Sequence, residues 1–396
     1  MDLRRGIEMV AIPGPSIVPE RVRVAMARAM PNIYAGPLLE LSDRVLERLP
    51  ALVRTSGRSF IVTSNGHGAW QMAVSNTLSP GDKVLALESG RFAVIWAEFA
   101  EMAGVEAEVL PGDFFTPVDP AALEARLRAD VKHEINAILL SHTDTSSSVR
   151  NDIPAIRAAI DAAGHPALLM VDCIASLACD PYEMDEWGVD LTVSASQKGL
   201  MCPPGLGFVW AGERALAAFD RIGNRVGYVD WARRLEPRGF YDTYAGTPPV
   251  AHLHALDEAL TMIDEEGGLD AVWARHAALA AGVRAAVTAW ATPGGLSLNI
   301  ESVEHRSNAV TTVRTGEIDS LELMQRCVER SGVTLGIGMM VAPDRSFRIG
   351  HMGHLNPPMI LGTLGTIEAT LVSMGAAIGG SGVAAAAETI GKALAS

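Results

Sequence analysis

Between residues 58 and 212, short apolar runs alternate with stretches of helical periodicity, and few folds accommodate that order. The strand candidates are Ser59–Ser64, Lys83–Leu87, Asn136–Ser141, Ala167–Asp172, Leu191–Ser194 and Gly207–Trp210. Each is a short apolar run, as expected of a strand covered on both faces. Helix candidates fill the gaps at Gly68–Leu78, Phe92–Ala103, Asp119–Ala129 and Ile153–Ala163, with Asp119 and Asp152 placed to cap two of them. The alternation predicts an α/β fold, a mostly parallel sheet sandwiched by helices.

The pattern then changes. Residues 213–250 are richer in Arg and aromatic side chains and lack a clear period. Helical spacing returns over Pro249–Glu266, stops at Gly267-Gly268, and resumes over Asp270–Trp290. Beyond Pro293 the chain reads as a smaller α+β unit, with strands at Asn308–Val313 and Ser346–Gly350. Its helices are expected at Asp319–Arg330, Pro357–Met374 and Val383–Ala395. The expected organisation is an N-terminal arm over 1–20, a large domain over 21–265 and a small C-terminal domain over 266–396.

Charge narrows the function classes. Lys plus Arg number 32 against 46 Asp plus Glu, a net charge of −14 that argues against nucleic-acid binding and against electrostatic attachment to anionic lipid. No window reaches about 18 uninterrupted apolar residues, so a membrane span is not expected. The four cysteines are too few for a disulfide scaffold. The start, MDLRRGIEMVAIPGP, lacks an apolar stretch of signal-peptide length, so a reducing cytoplasmic setting is expected. No Cys/His cluster has metal-ligand spacing, so no metal site is expected.

Three features fall at the carboxyl ends of predicted strands, where open α/β sheets place ligands. The first, Ser64-Asn65-Gly66-His67-Gly68-Ala69-Trp70, joins a strand to a helix. Its glycines let backbone approach an anion, and the helix start offers N–H groups and a favourable dipole; such turns are also often only turns. The second is Asp172, ending Leu168-Leu169-Met170-Val171, a position that serves equally for a cap, a metal or a cofactor. The third is Lys198, in Ser194-Ala195-Ser196-Gln197-Lys198-Gly199 and followed by Pro203-Pro204-Gly205. Together, a phosphate cradle, a carboxylate and an amine fit pyridoxal 5′-phosphate. The amine forms a Schiff base with the aldehyde and moves a proton at the substrate carbon, and the carboxylate keeps the pyridine nitrogen protonated.

The run VDCIASLACDPYEMDEWGVDLTVSASQKGLMCPPG resembles the cofactor core of fold type I, class V aminotransferases. IPGPSIVP, SNTLSPGDKVL, SHTDTSSSV, YAGTPPV, FRIGHMG and GSGVAAA extend the similarity over most of the chain, nearest to the alanine/serine–glyoxylate group and to pyridoxamine–pyruvate aminotransferase. The resemblance implies a large cofactor-binding domain and a small C-terminal domain. It implies Lys198 as the Schiff-base lysine and Asp172 as the pyridinium partner. Gly66, His67, Gly68 and Gln197 would hold the phosphate, Thr145 would contact the cofactor, and Phe92 would stack on its ring. Tyr244 and Thr247 would reach the phosphate from a second subunit, implying a homodimer with shared sites. Arg348 would clamp the substrate carboxylate with two parallel charge-assisted bonds. The implied activity is transfer of an amino group from serine or alanine to glyoxylate or pyruvate.

Several positions depart from the family pattern. Ile33-Tyr34-Ala35-Gly36-Pro37 stands where relatives tend to have Asp-His-Arg, and Tyr34 is placed to reach the substrate. Cys173 and Ser148 replace usual glycines, and Met339-Met340-Val341-Ala342 replaces a Gly-rich stretch. These changes leave other donors open: aspartate or hydroxyaspartate, an aminophosphonate, or pyridoxamine, with Arg345 or Arg91 available to a second acidic group. A cysteine desulfurase would need a mobile reactive thiol, and neither Cys202 nor Cys327 sits in such a loop. A non-catalytic protein on this fold has no chemical need for Lys198, Asp172 and Arg348 together. His142, His351 and His354 read as structural residues.

Overall fold

The computed structural model describes residues 3–223, 225–339 and 343–395. The strands are β1 (Met9–Ala11), β2 (Arg58–Val62), β3 (Lys83–Leu87), β4 (Glu106–Leu110), β5 (Ile135–Ser141), β6 (Leu168–Asp172), β7 (Leu191–Ala195), β8 (Gly207–Ala211), β9 (Ser297–Leu298), β10 (Val310–Arg314), β11 (Val333–Ile337) and β12 (Ser346–Gly350). Seven of them form one sheet in the order β2-β8-β7-β6-β5-β3-β4. Only β8 runs against its neighbours, β7 and β2, so β2, β3, β5, β6 and β7 all end along one edge.

The apolar runs fold this way because successive side chains point to opposite faces of a strand. Leu85, Leu87, Ile138, Leu140, Leu169 and Val171 fill the core on one face. Val84, Ala86, Ala137, Leu139, Leu168 and Met170 fill the core on the other. Helices Gly66–Thr77 and Phe92–Met102 cover the second face, and helix Ile153–Ala163 contributes Ile156 and Ile160 to the first. The two capping aspartates act as expected: Asp119 accepts from Ala121 N–H at 2.9 Å and Asp152 from Ala155 N–H at 3.0 Å.

A second sheet has the order β1-β11-β12-β10-β9. It packs a third core with helices Leu269–Trp290, Ser320–Ser331, Pro357–Ser373 and Gly382–Leu394. The N-terminal strand β1 pairs parallel with β11, so the start of the chain is built into this distant sheet. Four strands were not expected from sequence: β1 and β9 are too short to show a period, β4 (EAEVL) is an edge strand with polar positions, and β11 is interrupted by Gly336. Helix Pro37–Arg48 was also missed, although Leu38, Leu41 and Val45 follow helical spacing and are buried. The aperiodic stretch 213–250 holds three short helices, Glu213–Phe219, Ala232–Leu235 and Phe240–Tyr244.

The loop after β5 joins the two sheets. Ser148 Oγ accepts from Thr312 N–H at 3.1 Å, Asn299 Nδ2 donates to Ser147 O at 2.9 Å, and Arg348 Nη1 donates to Thr145 O at 2.9 Å. Ser148 has φ +66°, which explains why a glycine suits this position.

Candidate active site

A cavity of about 150 Å³ opens at the shared strand edge. Its walls include Asn65, Gly66 and His67 after β2, Phe92 after β3, Thr143 and Thr145 after β5, Asp172 at the end of β6, and Gln197 and Lys198 after β7. Residues 65 to 198 in the chain thus converge because parallel strands return every loop to the same edge.

Asp172 is 4% exposed. Its Oδ1 accepts from Ile174 N–H at 2.6 Å and its Oδ2 from Trp70 Nε1–H at 3.1 Å. Burial raises its carboxyl to about 7, against the pull of these two donors and of Lys198. Lys198 moves the other way: burial, then the Arg348 guanidinium, lowers its amine to about 8. Its Nζ donates to Pro13 O. Ser16 ties the same segment down, donating its hydroxyl to Lys198 O at 2.6 Å and its N–H to Gln197 O at 2.9 Å. Gly14 passes so close, with φ +91°, that a Cβ there would fall 2.5 Å from Lys198 Nζ.

Arg348, on central strand β12, is 7% exposed and lies behind Thr145. Its Nε donates to Ile337 O at 2.8 Å and its Nη1 to Thr145 O at 2.9 Å, which fixes the guanidinium plane using two of its five N–H donors. Burial brings it down to about 10. Phe92 is half-buried and its ring lies 6.5 Å from that of Trp70.

Other expected residues are placed differently. Gly68 does not line the cavity; a Cβ there would meet Ser64 Oγ at 2.2 Å. The first helical turn spends His67 N–H on Asn65 Oδ1 at 3.0 Å and Gly68 N–H on Asn65 O at 3.1 Å, because the helix starts at Gly66 rather than at Gly68. Tyr34 is 75% exposed and sits against Tyr241, away from the cavity wall. Tyr244 is only 2% exposed and its hydroxyl is 2.6 Å from Ser42 Oγ. In the single chain Tyr244 is thus packed within its own subunit, whereas Thr247 is exposed. Arg345 binds Gly316 O at 3.0 Å, and neither it nor Arg91 lines the cavity. Met340, Val341 and Ala342 lie outside the described residues.

The four cysteines are buried free thiols, each pushed above its ordinary value by burial. That leaves no reactive thiolate of the desulfurase kind. His142 and His351 are buried, neutral and hydrogen-bonded to Ser176 and Thr311. Two contributors were missed in the sequence. Trp70 lies one turn into its helix, so its side chain reaches back over the first turn to Asp172. Asp144, in SHTDTSSSV, is fully buried behind Phe92 and Thr145.

Comparison with known proteins agrees over nearly the whole length. The family model "Aminotransferase class-V" matches residues 46–353. The chain is 37% identical to the serine–glyoxylate aminotransferase of Methylorubrum extorquens, covering 97% of this chain and 96% of that one. It is 37% identical to the L-aspartate–glyoxylate aminotransferase of Paracoccus denitrificans, over 96% and 95%. The crystal structure of pyridoxamine–pyruvate aminotransferase from Mesorhizobium loti superposes with a TM-score of 0.87 at 27% identity, covering 99% of this chain and 100% of that one. Matched in sequence almost end to end and in fold over both sheets, the protein is an aminotransferase of the class V family.

Proposed function

We propose that the protein uses pyridoxal 5′-phosphate to move the amino group of a small L-amino acid, serine or alanine, to glyoxylate or pyruvate in two half-reactions. The observation that carries this reading is the pairing of a half-buried amine with a buried carboxyl group on one cavity wall. The wall also suits a polar, phosphorylated guest. Gln197 Oε1 is buried with no partner, so its amide has capacity to spare at either end. Gly66 keeps the wall open, since a Cβ there would strike Ile174 at 2.3 Å.

Lys198 would hold the cofactor and Asp172 would face its ring nitrogen. Gly66, His67, Gln197 and Thr145 would surround the phosphate and ring substituents, with Phe92 on one face and Thr247 of a second subunit completing a homodimeric site. Bound there, the cofactor supplies an electron sink for negative charge developing at the substrate α-carbon. Lys198, with its amine at about 8, is poised to take and return the proton at that carbon near neutral pH. Asp172, held in place by Trp70 and Ile174, would set its carboxyl group against the ring nitrogen. Arg348, behind Thr145 rather than on the cavity wall, would orient the substrate carboxylate through the donors left over from its two backbone bonds. Four free buried thiols suit a reducing compartment such as the cytoplasm.

A matrix of amino donors against glyoxylate, pyruvate, oxaloacetate and 2-oxoglutarate tests the reading. Serine or alanine with glyoxylate or pyruvate is expected to give the highest kcat/KM. Lys198→Ala is expected to cost about 10²–10⁴-fold or more in kcat, the usual worth of a positioned acid–base group. Undiminished turnover by that variant sinks the assignment. Aspartate as the preferred donor is the second reading, favoured by the Paracoccus relative. Against it, neither Arg91 nor Arg345, the two guanidiniums considered for a second acidic group, lines the cavity, and burial lowers the His that does, His67.

A further inference from the structure

Asp144 precedes Thr145 in the loop after β5 and is 0% exposed. Its Oδ2 accepts from Phe92 N–H at 2.7 Å, and its Oδ1 accepts the N–H and hydroxyl of Ser146 at 2.9 and 2.5 Å. Gly90 is pressed against it: a Cβ there would lie 2.2 Å from the Asp144 carboxyl carbon. Among the described residues, no cation lies within 4.0 Å of this carboxylate and no carboxylate lies within 4.0 Å of Arg348. Thr145, the residue next to Asp144, carries the carbonyl that holds Arg348 Nη1. A buried carboxylate therefore lies one residue along the chain from the carbonyl that holds a buried guanidinium. The Asp144 charge raises Arg348 against the effect of burial, and it also pushes Asp172 upward.

An isolated buried charge is costly, and a direct ion pair would occupy the guanidinium. A counter-charge one residue back relieves the first problem without creating the second. We propose that Asp144 is a positioning residue that serves as counter-charge to the substrate-carboxylate site, partly offsetting Arg348 while its hydrogen bonds hold Phe92 at the cavity wall and Ser146 in the loop. This inference rests on the reading of Arg348 as the carboxylate clamp. It predicts opposite effects on binding and turnover when the charge is removed. The clamp becomes more electropositive and holds a carboxylate more tightly, while Phe92 loses an anchor at the cavity wall.

The test is Asp144→Asn in the holoenzyme, with acetate as a simple monocarboxylate probe read by calorimetry. Acetate Kd is expected to fall about three- to tenfold, the scale of one lost unit charge at moderate screening, while kcat for the best donor and acceptor falls. A role confined to folding would lower both affinity and turnover, so unchanged or weaker acetate binding in a folded variant overturns the proposal. Asp144→Ser removes the charge with less volume and replaces Asn if that variant does not fold. Arg348→Gln separates the two readings. Loss of acetate binding there supports the clamp, and retained binding overturns both the clamp and the inference built on it.

Discussion

Lys198 shows how far placement alters an ordinary side chain. A solvated lysine has a pKa of about 10.4; burial and the neighbouring Arg348 bring this one to about 8. The shift favours the neutral amine, the nucleophilic form, so reactivity must rise as pH rises through the lowered value. Labelling of the cofactor-free protein with an amine-selective reagent, resolved by mass spectrometry, is expected to give Lys198 a midpoint near 8. A midpoint at the solvated value would show that the amine is not enclosed as described. Sequence alone identified the residue type and its small neighbours. It did not reveal the Pro13 carbonyl that receives the amine, because residues 13 and 198 meet only when the arm crosses from the second sheet to the first.

At the scale of elements, the loop after β5 carries the most function per residue. It supplies Thr143 and Thr145 to the cavity, Asp144 behind it, and Ser147 and Ser148 to the joint between sheets. Ser148 bears the conflict: its φ of +66° disfavours any side chain, yet its hydroxyl accepts from Thr312 N–H and donates to Ser147 O. The strain is worth about 1–2 kcal/mol and the hydrogen bond about 1 kcal/mol. Ser148→Gly, which relieves one and loses the other, is expected to unfold near the wild-type temperature. Ser148→Ala keeps the strain and orphans the Thr312 amide, and is expected to be about 1–3 kcal/mol less stable. Equal melting temperatures for the two variants would refute this account of the joint.

At the scale of the molecule, the proposed homodimer makes a hydrodynamic prediction. Ile7, Met30 and Tyr34 are 102%, 71% and 75% exposed in the single chain, apolar surface of the kind that association covers. Sedimentation is expected to show a species of about twice 41.9 kDa, and a fully active monomer would sink the shared site. The α/β class, the strands β3 and β12 to the residue, and the order of glycine-rich turn, carboxylate and amine along one sheet edge were all legible in the chain. Each depends on local periodicity or on side-chain chemistry, which a linear sequence carries. Tertiary structure alone decided which residues point inward. It turned Tyr244 into its own core, left Tyr34 in solvent, and brought Trp70 and Asp144 to the site. The physical reason is that burial and hydrogen-bond partnership are properties of the packed chain, set by residues distant in sequence that only the fold brings within reach.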